Sequence, residues 1–247
     1  MPLVFLHGIG SAARSFAGVL PLVSARRQAV AWDAPGYQGS APLGCREPDA
    51  GSYALVLERM LEAVGIPRIH LVGHSLGAIM AARFAADYPD RVASLTLASV
   101  ALGHARLEPA RRAELLANRL ADLDTFGPRG LAEKRGPRLC GPHASPKAIR
   151  AVIDTMAMVT PVGYRDAARL LAGADTLADV ARLPADLPMQ VVWGAEDVVT
   201  PPAANRKVVD ARPGCGAVEI ARLGHAFYVE QPAALADALE CFLQDQP

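Results

Sequence analysis

The sequence has no surplus of charge of either sign: 25 Lys and Arg offset 25 Asp and Glu. No bulk field therefore draws the chain toward nucleic acid. It also lacks a cysteine framework. Cys45, Cys140, Cys215 and Cys241 are scattered, none at C-x-x-C spacing and none beside a histidine cluster. That pattern argues against a disulfide scaffold or a zinc site and suits a reducing compartment, so a cytoplasmic location is expected. Long apolar runs are missing too. The opening MPLVFLHG holds four apolar residues in a row, Leu3 to Leu6, with no basic lead, too little for a signal peptide. The stretch AIMAARFAA is interrupted by Arg83 and falls short of the roughly 18 residues of a membrane span. No internal repeat or low-complexity tract is present, and no membrane or nucleic-acid partner is expected.

Short apolar runs alternating with helical patterns are present. Leu3–Leu6, Gln28–Trp32, Ile69–Val72, Val92–Leu97, Met189–Trp193 and Val218–Ala221 read as strands. Helices are expected near residues 12–25, over 52–64 with Gly65 as a stop, from Leu76 to about Tyr88 before Pro89, and from about Pro232 to Leu243. This alternation predicts an α/β fold, a mostly parallel sheet with helices on both faces. Residues 102–185 break the rhythm: helical patterns and Gly/Pro punctuation, with no good strand. The segment is too long for a loop, and reads as a helical cap inserted into a core of residues 1–101 and 186–247. Over 104–150, ten Lys and Arg outnumber five Asp and Glu. A solvated helical surface accounts for that excess; a lid attracting anionic substrates is the sharper reading.

The chemistry gathers around LVGHSLGA, residues 71–78. A strand followed by Gly-x-Ser-x-Gly and a helix forces Ser75 into a strained turn, exposing its hydroxyl at the C-terminal edge of the sheet. Gly73 and Gly77 let strand and helix pass closely. A serine hydroxyl needs an adjacent base. Of six histidines, His225 in RLGHAFYVEQP follows the last strand and would lie on the same rim. Asp197 in VVWGAEDVVTPP follows the fifth strand and is the acid that would orient the imidazole, with Glu196 as runner-up. The order Ser75, Asp197, His225 is that of α/β-hydrolases. The loop LHGIG can supply the backbone N–H of Ile9, which with that of Leu76 would hold a developing oxyanion. GIGSAA does not fit the dinucleotide fingerprint G-x-G-x-x-G.

Taken in order, FLHGIG, WDAPGYQGS, LVGHSLGA, VVWGAEDVVTPP and GHAFYVEQP resemble the α/β-hydrolase superfamily over nearly the whole chain. The C-terminal half, from TPVGYRDAARLLAG to VVWGAEDVVTPP, is most similar to 3-oxoadipate enol-lactonases and related small carboxylesterases. The resemblance implies a metal-free, cofactor-free hydrolase of small esters or lactones, with Ser75 as nucleophile, His225 as base and Asp197 as acid. Ile9 and Leu76 would be the oxyanion donors, and Asp33 a structural residue. Ala78 stands where many relatives have a further glycine, and His74 where enol-lactonases often differ. Relatives also carry a two-strand hairpin before LHGxG, whereas six residues precede His7 here. The hairpin is expected to be missing and the strand at 28–32 to form the sheet edge, implying either a homodimer through that edge or a start assigned too late. Met156, Met158 and Tyr164 are candidates for an apolar pocket wall. The rivals are a C–C bond hydrolase of ring-cleavage products, an acyltransferase, and a non-catalytic receptor on the same fold.

Overall fold

Leu3–Leu6 forms the first strand (β1) of a computed structural model that describes residues 1–244. All of β1 is buried, as in a strand covered on both faces. Five more runs join it: β2 (Ala29–Ala31), β3 (Ile69–His74), β4 (Val92–Ala98), β5 (Met189–Gly194) and β6 (Gly216–Ile220). The spatial order is β2-β1-β3-β4-β5-β6, and every neighbouring pair is parallel. The expected "mostly parallel" sheet is wholly parallel among the described residues. β2 is an edge strand, as expected, but is shorter than the 28–32 read from sequence.

The two-residue period of the strands divides the interior into two cores. Val4, Leu6, Leu71, Leu95, Leu97 and Val191 face one side; Leu3, Phe5, Val72, Ala98 and Val192 face the other. The first side is covered by α2 (Ala50–Ala63) and α3 (Leu76–Asp87). The second is covered by α1 (Leu20–Ser24) and, at the end of the chain, by the helix Pro232–Leu243. One continuous helix over 12–25 does not form. A 3-10 turn at Ala13–Phe16 precedes α1 instead. Gly18 lies against the Pro232 ring, where a Cβ would come within 2.6 Å, and Pro21 opens a new helix.

Between β4 and β5 the chain is helical: α4 (Pro109–Arg135), α5 (Pro146–Met156), α6 (Pro161–Gly173) and α7 (Thr176–Ala181). α4 is broken at Gly127, φ +60°, just before Pro128. Ser145, Thr160 and Asp175 cap α5, α6 and α7 by accepting from Ala148, Gly163 and Ala178 N–H, each contributing about 1 kcal/mol. Tyr164, Leu170 and Leu131 from this segment share the core of Leu71 and Leu97. Because β4 and β5 are parallel neighbours, the segment leaves the sheet at the C-terminal end of β4 and re-enters it at the N-terminal end of the adjacent β5. α8 (Pro202–Asp210), unread in the sequence, links β5 to β6; α9 (Phe227–Glu230) and α10 (Pro232–Leu243) close the described chain. Among the described residues no helix is long and apolar enough to cross a membrane.

Candidate active site

Ser75 sits between β3 and α3 with φ +55° and ψ −113°, a backbone conformation that costs a side-chain-bearing residue about 1–3 kcal/mol. The crossing that imposes it is visible in its neighbours. A Cβ on Gly77 would overlap the Leu6 carbonyl, and one on Gly73 would meet the Gly77 carbonyl and the Ala81 methyl. Strand, turn and helix therefore pass at a separation only glycine permits. The Ser75 N–H donates to Ala98 O at 2.9 Å, tying the turn to β4.

Asp197 follows β5 and His225 follows β6, both 2% exposed. His225 Nδ1 donates to Asp197 Oδ2 at 2.8 Å. The Thr200 hydroxyl donates to the same oxygen at 2.8 Å, and Val199 and Thr200 N–H donate to Oδ1 at 2.8 Å each. Burial alone would raise the Asp197 pKa. The neighbouring His225 and these donors outweigh it and bring the carboxyl down to about 2. Asp197 is therefore a carboxylate, and it fixes the tautomer of His225 with Nδ1 protonated and Nε2 free. Ser75 and His225 line the same cavity, but among the described residues no hydrogen bond joins the Ser75 hydroxyl to the imidazole. Glu196, the alternative acid, is exposed and donates its N–H to Leu223 O at 2.9 Å; its carboxylate is not part of the cluster.

The loop after β1 passes over Ser75. A Cβ on Gly8 would come within 3.1 Å of Ser75 Cβ, so the loop lies directly against the serine. Its shape is held from below. His7 Nδ1 donates to Gly8 O at 2.9 Å, while Nε2 accepts from Ala34 N–H at 3.1 Å. Burial lowers the His7 pKa, which keeps that acceptor available. Tyr37 donates to Ile9 O at 2.6 Å, and Asp33 accepts from Ala13 N–H at 2.8 Å, the structural part expected of it. Ile9 and Leu76 both line the cavity, and neither backbone N–H has an acceptor among the described residues. Two unpaired donors beside one serine suit an oxyanion.

The roles of two residues escaped the sequence reading. His74 Nε2 donates to the backbone carbonyl of His225 at 2.9 Å, and the two rings lie 4.7 Å apart. Burial, then the nearby His225, lowers the His74 pKa to about 3, and its Nδ1 is buried without a partner. Glu230 accepts from Gly224 N–H at 3.0 Å and from Gly141 N–H at 3.1 Å. It thus joins the His225 loop to the helical segment, where Ala226 N–H also donates to Leu139 O at 2.7 Å. Neither role has a local signature, since each depends on a partner at least 80 residues away for its cross-link.

The cavity above these groups holds about 410 Å³, within the roughly 300–1,000 Å³ of small-molecule sites. Its wall is largely apolar, with Val152, Leu171, Val199 and Val229 among the lining residues. Met156 and Tyr164 contribute as expected. Met158 does not: its side chain is exposed, on the turn that follows α5.

A family model described as alpha/beta hydrolase fold matches residues 1–232. The fold superposes on a malate-bound thermophilic esterase from Thermogutta terrifontis with TM-score 0.89, at 23% identity, over 99% of this chain and 89% of that one. An enol-lactonase from Burkholderia xenovorans superposes with TM-score 0.87, at 21% identity, over 99% and 91%. In sequence, a 2-hydroxy-6-oxononadienedioate/2-hydroxy-6-oxononatrienedioate hydrolase of Pseudomonas putida is 36% identical over 99 residues, 38% of this chain and 35% of the relative.

Proposed function

The chain belongs to the α/β-hydrolase fold family, and from that premise we propose that it is a serine hydrolase cleaving carboxylic esters or lactones through an acyl-enzyme. The observation that carries this reading is the 2.8 Å His225–Asp197 bond beside a strained serine, in one cavity with two unpaired amides. The Ser75 oxygen bonds to the acyl carbon as its proton passes to His225 Nε2. Asp197 holds the imidazole and stabilises the cation. The N–H groups of Ile9 and Leu76 take the charge that develops on the carbonyl oxygen. Collapse breaks the acyl–alkoxy bond, and the Nε2 proton goes to the leaving alkoxide. Water, deprotonated by the same nitrogen, then releases the acid and restores Ser75. A Ser75–His225 hydrogen bond is expected to form once substrate turns the serine hydroxyl toward the ring.

A 4-nitrophenyl ester assay with Ser75→Ala tests this reading. Turnover should fall by several orders of magnitude, to roughly 10³–10⁴-fold over water. Fluorophosphonate labelling should vanish in the same variant. Near-normal rates there would remove Ser75 from the nucleophile role, and an unlabelled wild type would favour a receptor. The sequence likeness to the Pseudomonas putida hydrolase favours a second reading, C–C cleavage of a vinylogous diketone by the same groups. Assaying such a diketone beside the aryl esters separates the two by product.

A further inference from the structure

The cavity wall carries charge of one sign, and one of its cations is half-buried with no carboxylate partner among the described residues. Arg119, Arg135 and Arg138 line it, with His104, and no Asp or Glu does among the described residues. Arg135 is held by the Asp122 carboxylate, which Lys134 also contacts at 2.7 Å. Arg138 is exposed to solvent. Arg119, on α4, is half-buried, and its Nη1 donates to the Tyr164 hydroxyl at 3.1 Å. Asp166, the buried acid whose charge acts on Tyr37 together with that of Arg119, pairs instead with Arg169 at 3.1 Å. Elsewhere on the helical segment Arg106, Arg111, Arg129 and Arg165 each have a carboxylate partner.

A partly desolvated guanidinium facing an acid-free cavity is costly unless something supplies the anion. Tyr164 is fully buried, so its hydroxyl fixes one edge of the fork and leaves other N–H groups for a ligand. The neighbouring His104 is held below its ordinary pKa, first by burial and then by Arg119 and Arg111, and so adds no competing charge at neutral pH. The surrounding wall is apolar at Met156, Leu171 and Val199, which strengthens any ion pair formed there.

We propose that the substrate is an ester or lactone bearing a carboxylate, and that Arg119, oriented by Tyr164, binds that carboxylate while Ser75 meets the acyl carbon. The proposal rests on the serine-hydrolase reading above. Of the ten Lys and Arg over 104–150, Arg106, Arg111, Arg129, Lys134 and Arg135 have carboxylate partners; of the rest, Arg119 is the half-buried one that lines the cavity, and it is the discriminating charge.

The test compares mono-4-nitrophenyl glutarate with its methyl ester, which has the same acyl chain and no charge. The wild type should prefer the acid in kcat/KM by about tenfold or more, and Arg119→Gln should cut that preference by roughly 10- to 100-fold, mainly through KM. Arg119→Lys should restore part of the preference, and Tyr164→Phe should reduce it less. A second readout needs no turnover: glutarate should slow fluorophosphonate labelling of the wild type, and the protection should weaken in Arg119→Gln. A wild type that hydrolyses both esters alike, or a preference and glutarate protection that survive in Arg119→Gln, overturns the subsite while leaving the nucleophile intact. Absence of labelling and of hydrolysis in the wild type overturns the serine-hydrolase reading itself. Should Arg119→Gln fail to fold, Tyr164→Phe carries the same comparison.

Discussion

At the scale of single residues, Ser75 is where chemistry and backbone oppose each other. Its φ of +55° with ψ −113° is unfavourable for any side chain, and the overlap awaiting a Cβ at Gly73 or Gly77 shows why the turn cannot relax. Ser75→Ala keeps the Cβ and so keeps the strain; Ser75→Gly removes both. The glycine variant should therefore be more stable than the alanine variant by about 1 kcal/mol, relief of roughly 1–3 kcal/mol offset by the greater freedom of an unfolded glycine. Urea unfolding of the two inactive variants measures the difference. Equal midpoints would mean that the elbow stores no strain. This residue was legible in the sequence because its constraints are local: two glycines, a strand before and a helix after. His74, one position earlier, was not. Its neighbour in function is a carbonyl 151 residues away, and nothing in GHSLG announces that bond.

At the scale of elements, the helical segment and the His225 loop are fastened through Glu230, on α9. Its carboxylate accepts from Gly141 on one side and Gly224 on the other, and those two glycines pack so closely that a Cβ on either would meet the other's backbone. Burial raises the Glu230 pKa, and the two amide donors oppose that shift. Glu230→Ala leaves two N–H groups without their acceptor, at about 1–3 kcal/mol for each group that stays buried. Loss of thermal stability together with a lower kcat on any hydrolysed ester is expected, because His225 stands next to Gly224. Glu230→Gln keeps an acceptor oxygen and should recover most of both. A Glu230→Ala enzyme with unchanged kcat would show that the fastening does not reach the imidazole. The six strands and the helical interruption were readable from apolar periodicity, whereas this fastening was not. A lone glutamate in a short helix looks like any solvated acid until the fold brings residue 141 beside it.

At the scale of the whole molecule, the buried histidines govern the response to acid. His74 and His7 are buried and hydrogen-bonded in neutral form, and burial depresses both, His74 to about 3 against an ordinary 6.5. The unfolded chain takes up a proton at each of them near pH 6.5, while the folded chain takes them up at lower pH, for His74 not until about pH 3. Unfolding therefore binds protons, and stability is greatest above pH 6.5 and falls as the pH drops through the interval from 6.5 toward 3 for His74. Each such group lowers the unfolding free energy by about 1.4 kcal/mol per pH unit across its interval. Asp197 has the same sign, but acts later, as the pH falls from its ordinary 3.8 to about 2. Urea midpoints taken from pH 8 to pH 4.5 should accordingly stay flat down to about pH 6.5 and then decline with an uptake of more than one proton, because His70, which burial first of all lowers to about 4, shares the interval with His74 and His7. His74→Gln keeps an N–H for the His225 carbonyl and carries no titrating group, so the decline should lose about one proton of slope. An unchanged slope in that variant would mean that His74 is already charged in the folded protein. Its unpartnered Nδ1 would then have to be an N–H without an acceptor, beside a His225 that must itself become cationic for the proposed chemistry to proceed.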